Sequence, residues 1–139
     1  MNAKATRWQL DKVADAGLHR VRRREVEALC EAGSAAGLHC ARLDLADCRG
    51  KAELLAGLAQ ALKFPSWFGH NWDALADCLD DLGWLRGSGY LLVLENSAGM
   101  SAAVPKDFAL ALDIFADAAR KWRERDKPFW VFLVKRGAK

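Results

Sequence analysis

Two short runs of the chain are apolar at nearly every position, and they constrain the fold more than any other feature. Tyr90–Glu95 reads YLLVLE and Phe129–Val134 reads FWVFLV. A strand with apolar side chains at successive positions must be covered on both faces, as in a parallel sheet. Residues 107–125, between them, carry apolar side chains at helical spacing. Because apolar strands that alternate with helices form βαβ units, we predict an α/β fold: a small parallel β-sheet of three to four strands packed with α-helices.

The other segments show weaker patterns of the same kind. Residues 1–16 are polar and predict a lead-in that is poorly fixed to the rest, and residues 96–106, which include Pro105, predict a loop. The remaining elements that we expect are strands over Leu18–Val21 and 38–45, and helices over 24–36, 51–62 and 71–82. No repeat or interior linker interrupts them, which predicts one α/β domain.

The composition excludes several classes of protein. Of the 139 residues, 52% are apolar and 28% are charged, a balance typical of a globular protein. No apolar run approaches the roughly 20 residues that span a bilayer. The first 16 residues contain five charged side chains and no apolar stretch, unlike a secretory signal. We therefore expect a cytoplasmic protein without a membrane segment.

The cysteines and histidines do not form a metal-binding pattern. No C-x-x-C pair occurs, although structural zinc sites usually contain close pairs of ligands. We expect small apolar core thiols, no metal site and no cofactor. The residues concerned are Cys30, Cys40, Cys48, Cys78, His19, His39 and His70.

Charge is distributed unevenly along the chain. Residues 64–99 contain five acidic residues and one basic residue, whereas residues 120–139 contain eight basic and two acidic ones. The net charge of +3 hides this separation. Residues 64–99 are therefore an acidic segment within a basic chain.

Most of that acidity belongs to one face of the helix predicted over residues 71–82. Asp73, Asp77, Asp80 and Asp81 stand at i, i+4, i+7 and i+8, opposite the leucines that face the core. We call these four residues the acidic face. Each like-charge pair at such spacing costs a few tenths of a kcal/mol, roughly 0.2–0.5, and no Lys or Arg stands at a helical partner position. A pattern that opposes helix stability indicates a functional surface.

The segment before this helix is rich in aromatic residues. Residues 64–72, which we call the aromatic loop, read FPSWFGHNW. Phe68 is expected to dock the loop onto the core, while Trp67 and Trp72 flank a polar turn and are not both expected to be buried. Exposed aromatic residues beside charge are typical of a protein-binding hot spot. An acidic surface repels nucleic acid and favours a basic protein cleft.

Residues 64–79, FPSWFGHNWDALADCL, resemble the signature of the barstar family, whose members inhibit the ribonuclease barnase inside the cell. The likeness extends over residues 38–134 and includes the LVLE run, the long helix and the last apolar strand. It implies a small parallel sheet with helices, no catalysis, and inhibition by plugging the active-site cleft of a basic ribonuclease. By this resemblance residues 38–139 form a barstar-like domain, and residues 1–37 form an N-terminal extension found in longer barstar-related bacterial proteins.

The resemblance also implies roles for individual residues. Asp77 matches the aspartate that enters the phosphate-binding site of the ribonuclease, and Trp67 matches an aromatic residue that packs on its catalytic histidine. The other matched contact positions are Gly69, Asn71, Trp72, Asp73 and Asp117.

Three departures from the family pattern concern the same surface. Ala76 replaces an interface tryptophan, and His70 replaces an acidic residue. Asp80, Asp81 and Leu82 replace a Thr-Gly-Trp contact segment. These changes leave open whether a barnase-type ribonuclease or another basic protein is the partner. The predicted partner-binding residues are Trp67, Gly69, His70, Asn71, Trp72, Asp73, Ala76, Asp77, Asp80, Asp81 and Asp117, in a protein expected to be a monomer.

Two other classes of function remain as alternatives. An enzyme could use Asp73 and Asp77 as paired carboxylates, or His70 as a base near Cys78, but such groups need a cleft that perturbs their pKa values. An RNA-associated protein could use the basic residues of 120–127 together with Lys135, Arg136 and Lys139. Basic residues at a helix C-terminus also have a simpler explanation in the helix dipole.

Overall fold

The computed structural model describes residues 6–135, which form four strands and five α-helices. Short 3₁₀ turns at Val13–Asp15 and Arg23–Glu25 precede the first strand and the first helix. In chain order the elements are β1 (Leu18–Val21), α1 (Val26–Ala35), β2 (His39–Asp44), α2 (Lys51–Ala61), α3 (Trp72–Asp81), β3 (Tyr90–Glu95), α4 (Ala98–Ala103), α5 (Pro105–Glu124) and β4 (Phe129–Val134).

All four strands belong to one parallel sheet with the order β1-β4-β3-β2. The two apolar runs, β3 and β4, lie side by side at its centre, where Leu92 pairs with Val131. Every residue of β4 is buried, and so are the first five of β3. The predicted α/β class with a small parallel sheet is confirmed.

Each face of the sheet carries its own core. Leu92, Leu94 and Val131 pack on one face against α2, α3 and α5. Val93 and Phe132, on the other face, pack against α1 and the segment before β1. The alternation of side chains along a strand divides the apolar residues of β3 and β4 between these two cores.

The lead-in is fixed to the second core, which corrects the expectation of a poorly held segment. Leu10 is buried, and the buried Trp130 indole N–H donates to its carbonyl oxygen at 2.9 Å. Arg123 of α5 donates to the carbonyl of Ala16 at 2.8 Å. The sequence does not predict these two hydrogen bonds, because their acceptors are backbone carbonyls, which every residue has. The lead-in's residues 1–5 lie outside the described residues.

The segment after β3 also differs from the prediction. Residues 96–106 were expected to be a loop, but they contain α4 and the start of α5. α5 begins at Pro105, because a proline at the first helical position gives up an N–H that has no intrahelical acceptor. The other predicted elements are present, with ends that are unshifted or shifted by at most two residues, and the first helix is preceded by a 3₁₀ turn.

The N-terminal extension contributes β1 to the sheet and α1 to the core on one face of it. A mutation in α1 therefore tests whether the extension unfolds together with the rest of the chain. Leu29 of α1 is fully buried in the second core. We expect Leu29→Ala to lower the free energy of unfolding by about 2–5 kcal/mol, within one cooperative urea transition. Leu110→Ala, at a leucine of α5 that is 41% exposed, serves as the matched control and should change it little.

A separate early transition in Leu29→Ala, with the main transition unmoved, would contradict shared folding. The division at residue 37 into an extension and a main domain stays a prediction.

Candidate functional site

α3 starts at a side-chain cap. The Asn71 side-chain oxygen accepts from the Ala74 backbone N–H at 2.7 Å, and its amide nitrogen donates to the Gly69 carbonyl at 3.3 Å. An N-cap of this kind satisfies one of the orphan N–H groups of the first turn. One amide therefore fixes both the helix start and the preceding turn, so Gly69 and Asn71 hold the shape of the site.

The aromatic loop is anchored at one side and open at the other. Phe68 is buried, as predicted, while Trp67 is 59% exposed. The Trp67 ring meets Trp84 edge-on at 6.2 Å, and the Trp84 indole N–H donates to the Leu62 carbonyl at 2.9 Å. The Trp67 side chain is thus largely exposed to solvent while its ring is supported by Trp84. This geometry is suited to an interface anchor.

His70 and Trp72 occupy the turn between loop and helix. His70 has a left-handed backbone (φ +54°), and its Nδ1 lies 3.1 Å from the Phe68 carbonyl oxygen, to which it can donate. Its ring also lies 4.6 Å from the Phe68 ring. Trp72 is half-buried, with the Lys51 ammonium 5.4 Å from its ring centroid. The imidazole is thus exposed and oriented by its neighbours.

Three of the four aspartates of the acidic face are exposed: Asp73, Asp77 and Asp81. Asp81 accepts a hydrogen bond from the Gly83 N–H at 3.0 Å. Among residues 6–135, no hydrogen bond or ion pair engages the carboxylates of Asp73 and Asp77. These two groups are therefore available to a partner without breaking an internal contact.

Asp80 is different, because a cation from another helix neutralises it. The Lys121 ammonium of α5 lies 3.1 Å from its carboxylate, and the Arg125 guanidinium donates to its backbone carbonyl at 2.7 Å. The Trp122 indole N–H donates to the carbonyl of Leu79 at 2.7 Å. Side chains of α5 therefore satisfy carbonyls at the end of α3 and offset the acids that stand near its negative pole.

Asp117 lies on α5 next to this group and is also paired. Its carboxylate contacts Arg120 at 2.7 Å and Lys121 at 3.6 Å, and the Arg120 guanidinium holds the pKa of Asp117 below its usual value. Lys121 thus connects Asp80 with Asp117. Exposed pairs of this type are weak and can exchange with a partner's charges.

Ala76 lies in a shallow depression between α3 and α5, lined also by Asp113, Ile114 and Asp117. Sequence reasoning missed Asp113, Ile114 and the supporting Trp84. The i, i+4 spacing of Asp113 and Asp117 was visible in the sequence, but their position opposite Ala76 depends on how the two helices pack. Leu82, at a family contact position, is buried and faces the core.

The arrangement does not assemble the catalytic groups that the enzyme hypothesis requires. Asp73 and Asp77 are exposed on the surface of α3. Cys78 is fully buried, and this burial raises the pKa of its thiol, which therefore stays protonated and unreactive. Cys48 is buried too, whereas Cys30 and Cys40 are half-buried. In the described part of the chain, no three His, Cys, Asp or Glu side chains are placed to hold a metal ion.

The basic end of α5, on which the RNA hypothesis depends, is largely engaged within the protein. Arg120, Lys121, Arg123 and Arg125 all donate to acceptors of this chain. Lys127 donates to the Tyr90 hydroxyl at 3.2 Å. Of the other basic residues in that hypothesis, Lys135 is exposed, and Arg136 and Lys139 lie outside the described residues.

Comparison with known families agrees with this geometry. The family model described as Barstar (barnase inhibitor) matches residues 38–134. The chain belongs to the barstar family. The match begins one residue before β2 and ends with β4, so it includes the aromatic loop and α3 and leaves out β1 and α1.

A second comparison adds no relative: none of the curated proteins shows significant sequence similarity to the chain. The barstar family is a family of inhibitors rather than of enzymes. Over residues 6–135, each helix is too short or too polar to cross a membrane.

The pairing around Asp117 gives a test by NMR titration. We expect its carboxylate to titrate below the ordinary value of 3.8, because Arg120 and Lys121 favour the charged form. A lowered folded-state pKa contributes stability above the unfolded value, and this contribution is lost as the pH falls through the folded value. Arg120→Ala should raise the pKa of Asp117, and Arg24→Ala, at an exposed arginine distant in sequence, should leave it unchanged. An equal pKa in both variants would refute the pairing.

Proposed function

We propose that this chain inhibits a barnase-type ribonuclease, inserting its acidic face and aromatic loop into the basic active-site cleft of that enzyme. It acts in the cytoplasm as a monomeric binding protein, without catalysis or a cofactor. In the complex, carboxylates of α3 occupy the positions that the substrate's phosphates take in the cleft of the enzyme.

The exposed carboxylate of Asp77 is the observation that carries this proposal. It stands one helical turn from Asp73 and from Asp81, and no cation among the described residues pairs with it. A carboxylate that is desolvated in an interface needs a partner charge, since an unpaired buried ion costs several kcal/mol, on the order of 3–5. The partner must therefore supply cations at this point, as a phosphate-binding cleft does.

The paired acids suit a different part of the interface. Asp80 and Asp117 already have Lys121 as a counterion, which limits their attraction for a partner's cation. They fit a solvated rim, where charges mainly affect the association rate and specificity. The free acids, Asp73 and Asp77, fit the centre beside Trp67.

A second candidate is inhibition or capture of another basic protein. It is favoured by the depression at Ala76, where the family has a tryptophan anchor and this chain has an open hollow beside Asp113 and Asp117. A partner with a basic side chain at that position would fill it. The two candidates share the binding face and differ in the identity of the basic protein.

Calorimetric titration against a barnase-type ribonuclease tests the proposal. We expect one-to-one binding, loss of ribonuclease activity in the complex, and an affinity at least about thirtyfold lower for Asp77→Ala, as for a charged hot spot. Ala is the better helix former, so the variant should remain folded. Asp47→Ala removes the same charge from an exposed aspartate outside the site and should bind like the wild type.

Equal binding by Asp77→Ala and the wild type would refute the assigned face. Failure of the wild type to bind this ribonuclease would favour the second candidate. Binding of the acidic face to basic proteins of other classes would then be measured with the same two variants.

The aromatic loop is tested separately by Trp67→Ala. We expect the affinity for the ribonuclease to fall at least about tenfold, because an exposed tryptophan on a rigid base is typical of interface anchors. The free energy of unfolding should change by no more than about 1 kcal/mol, since the side chain is largely in solvent. Leu110→Ala, which removes the other exposed large apolar side chain among residues 6–135, should not affect binding. An unchanged affinity in Trp67→Ala would exclude the loop from the interface.

A further inference from the structure

A cleft of about 630 Å³ opens at the edge of the sheet where β1, β3 and β4 end. We call it the carboxyl-edge cleft. Its walls come from Arg20 and Arg23, from Asn96 and the residues that follow it, from Lys135, and from the first turns of α5. In open parallel α/β sheets, ligands bind in crevices outside the carboxyl ends of the strands. The volume is within the range of small-molecule sites, about 300–1,000 Å³.

The charged side chains that line this cleft are all basic: Arg20, Arg23 and Lys135. Within residues 6–135, Arg20 and Lys135 form no ion pair. Arg23 donates one hydrogen bond to the Asn96 side-chain oxygen at 3.1 Å, which orients the guanidinium, and its other N–H groups have no acceptor among residues 6–135. Asp44 accepts from the Asn96 amide at 2.8 Å and is not part of the lining of the cleft.

The rest of the lining combines hydroxyl groups with an apolar floor. Ser97 and Ser101 are half-buried and contribute hydroxyl groups to the lining. Phe108 and Val134 are buried apolar residues of the same lining, and we call them the apolar floor. A ligand that fits both parts has an anionic group and an apolar portion in the same small molecule.

The positive charge of this cleft does not come from the matched family segment, although most of its lining does. Arg20, Arg23 and Lys135 all lie outside residues 38–134. The cleft's charge appears where the N-terminal extension adds β1 beside β4 and brings Arg20 close to the end of the sheet. α3, by contrast, ends against the last turns of α5, which lead into the start of β4. The carboxyl-edge cleft is therefore separate from the acidic face.

We propose that the carboxyl-edge cleft binds a small phosphorylated organic molecule. The guanidinium groups of Arg20 and Arg23 and the ammonium of Lys135 hold the phosphate, since arginine is suited to bidentate contacts with phosphate oxygens. The Phe108 and Val134 floor takes the apolar ring or chain. The site is independent of the proposed ribonuclease inhibition.

NMR titration of the full chain with four probes tests this assignment: phenyl phosphate, adenosine 5′-monophosphate, phenol and inorganic phosphate. We expect the two organic phosphates to shift the amide resonances of Asn96–Ser101 and Lys135, and to bind at least about tenfold more tightly than phenol or inorganic phosphate. Arg20→Ala and Arg23→Ala should each weaken the organic phosphates by roughly tenfold, the effect of removing a charge-assisted hydrogen bond. Arg24→Ala, an exposed neighbour that does not line the cleft, is the matched control and should bind normally.

Three results would overturn the proposal. One is the absence of amide shifts with both organic phosphates at millimolar concentration. Another is equal affinity for inorganic phosphate, which would remove the role of the apolar floor. The third requires a fifth probe, a single-stranded RNA oligonucleotide. If it binds tightly and Arg24→Ala weakens its binding as much as Arg20→Ala does, the surface binds polyanions in general.

Discussion

The rest of the structure depends on two adjacent strands, β3 and β4, whose side chains are apolar on both faces. Neither face can be left in water, because exposing residues such as Trp130 or Leu92 would forfeit about 25 cal/mol for each Å² of apolar surface. α2, α3 and α5 therefore cover one face, and the N-terminal extension covers the other with α1 and the segment before β1. The position of α3 in the outer layer follows from this requirement, and so does its exposed acidic side.

The acidic helix is stable despite its composition because other parts of the chain hold both of its ends. Asn71 caps the start, while Trp122 and Arg125 donate to carbonyls at the end, and Lys121 neutralises Asp80. The repulsion among the remaining aspartates is thereby tolerated without loss of order. A helix that is fixed before binding loses less conformational entropy in an interface, which favours affinity. The internal support of the proposed inhibitory surface thus comes from Asn71 at the start of α3 and from Lys121, Trp122 and Arg125 at its end.

Prediction from the sequence succeeded where the pattern was local and failed where it depended on contacts across the fold. The ends of β3 and β4 were predicted to the residue, since continuous apolar runs have sharp limits. The lead-in and residues 96–106 were misjudged, since Leu10 is held by Trp130 and α4 has a weak pattern of its own. At the site, intrahelical spacing placed Asp77 and Asp80 on one face, but it could not predict the Lys121 counterion of Asp80, because Lys121 comes from α5.

The sequence by itself determined the fold class, the family resemblance and the composition of the acidic face, because side-chain spacing along one element specifies which residues share a surface. Only the tertiary structure decided which of those acids are free. Asp73 and Asp77 remain unpaired among the described residues, whereas Asp80 and Asp117 share a cation. It also brought Lys135 to one cleft with Arg20 and Arg23, from which it is separated by more than 100 residues of the chain. Both outcomes depend on which elements pack side by side, and no local pattern encodes that.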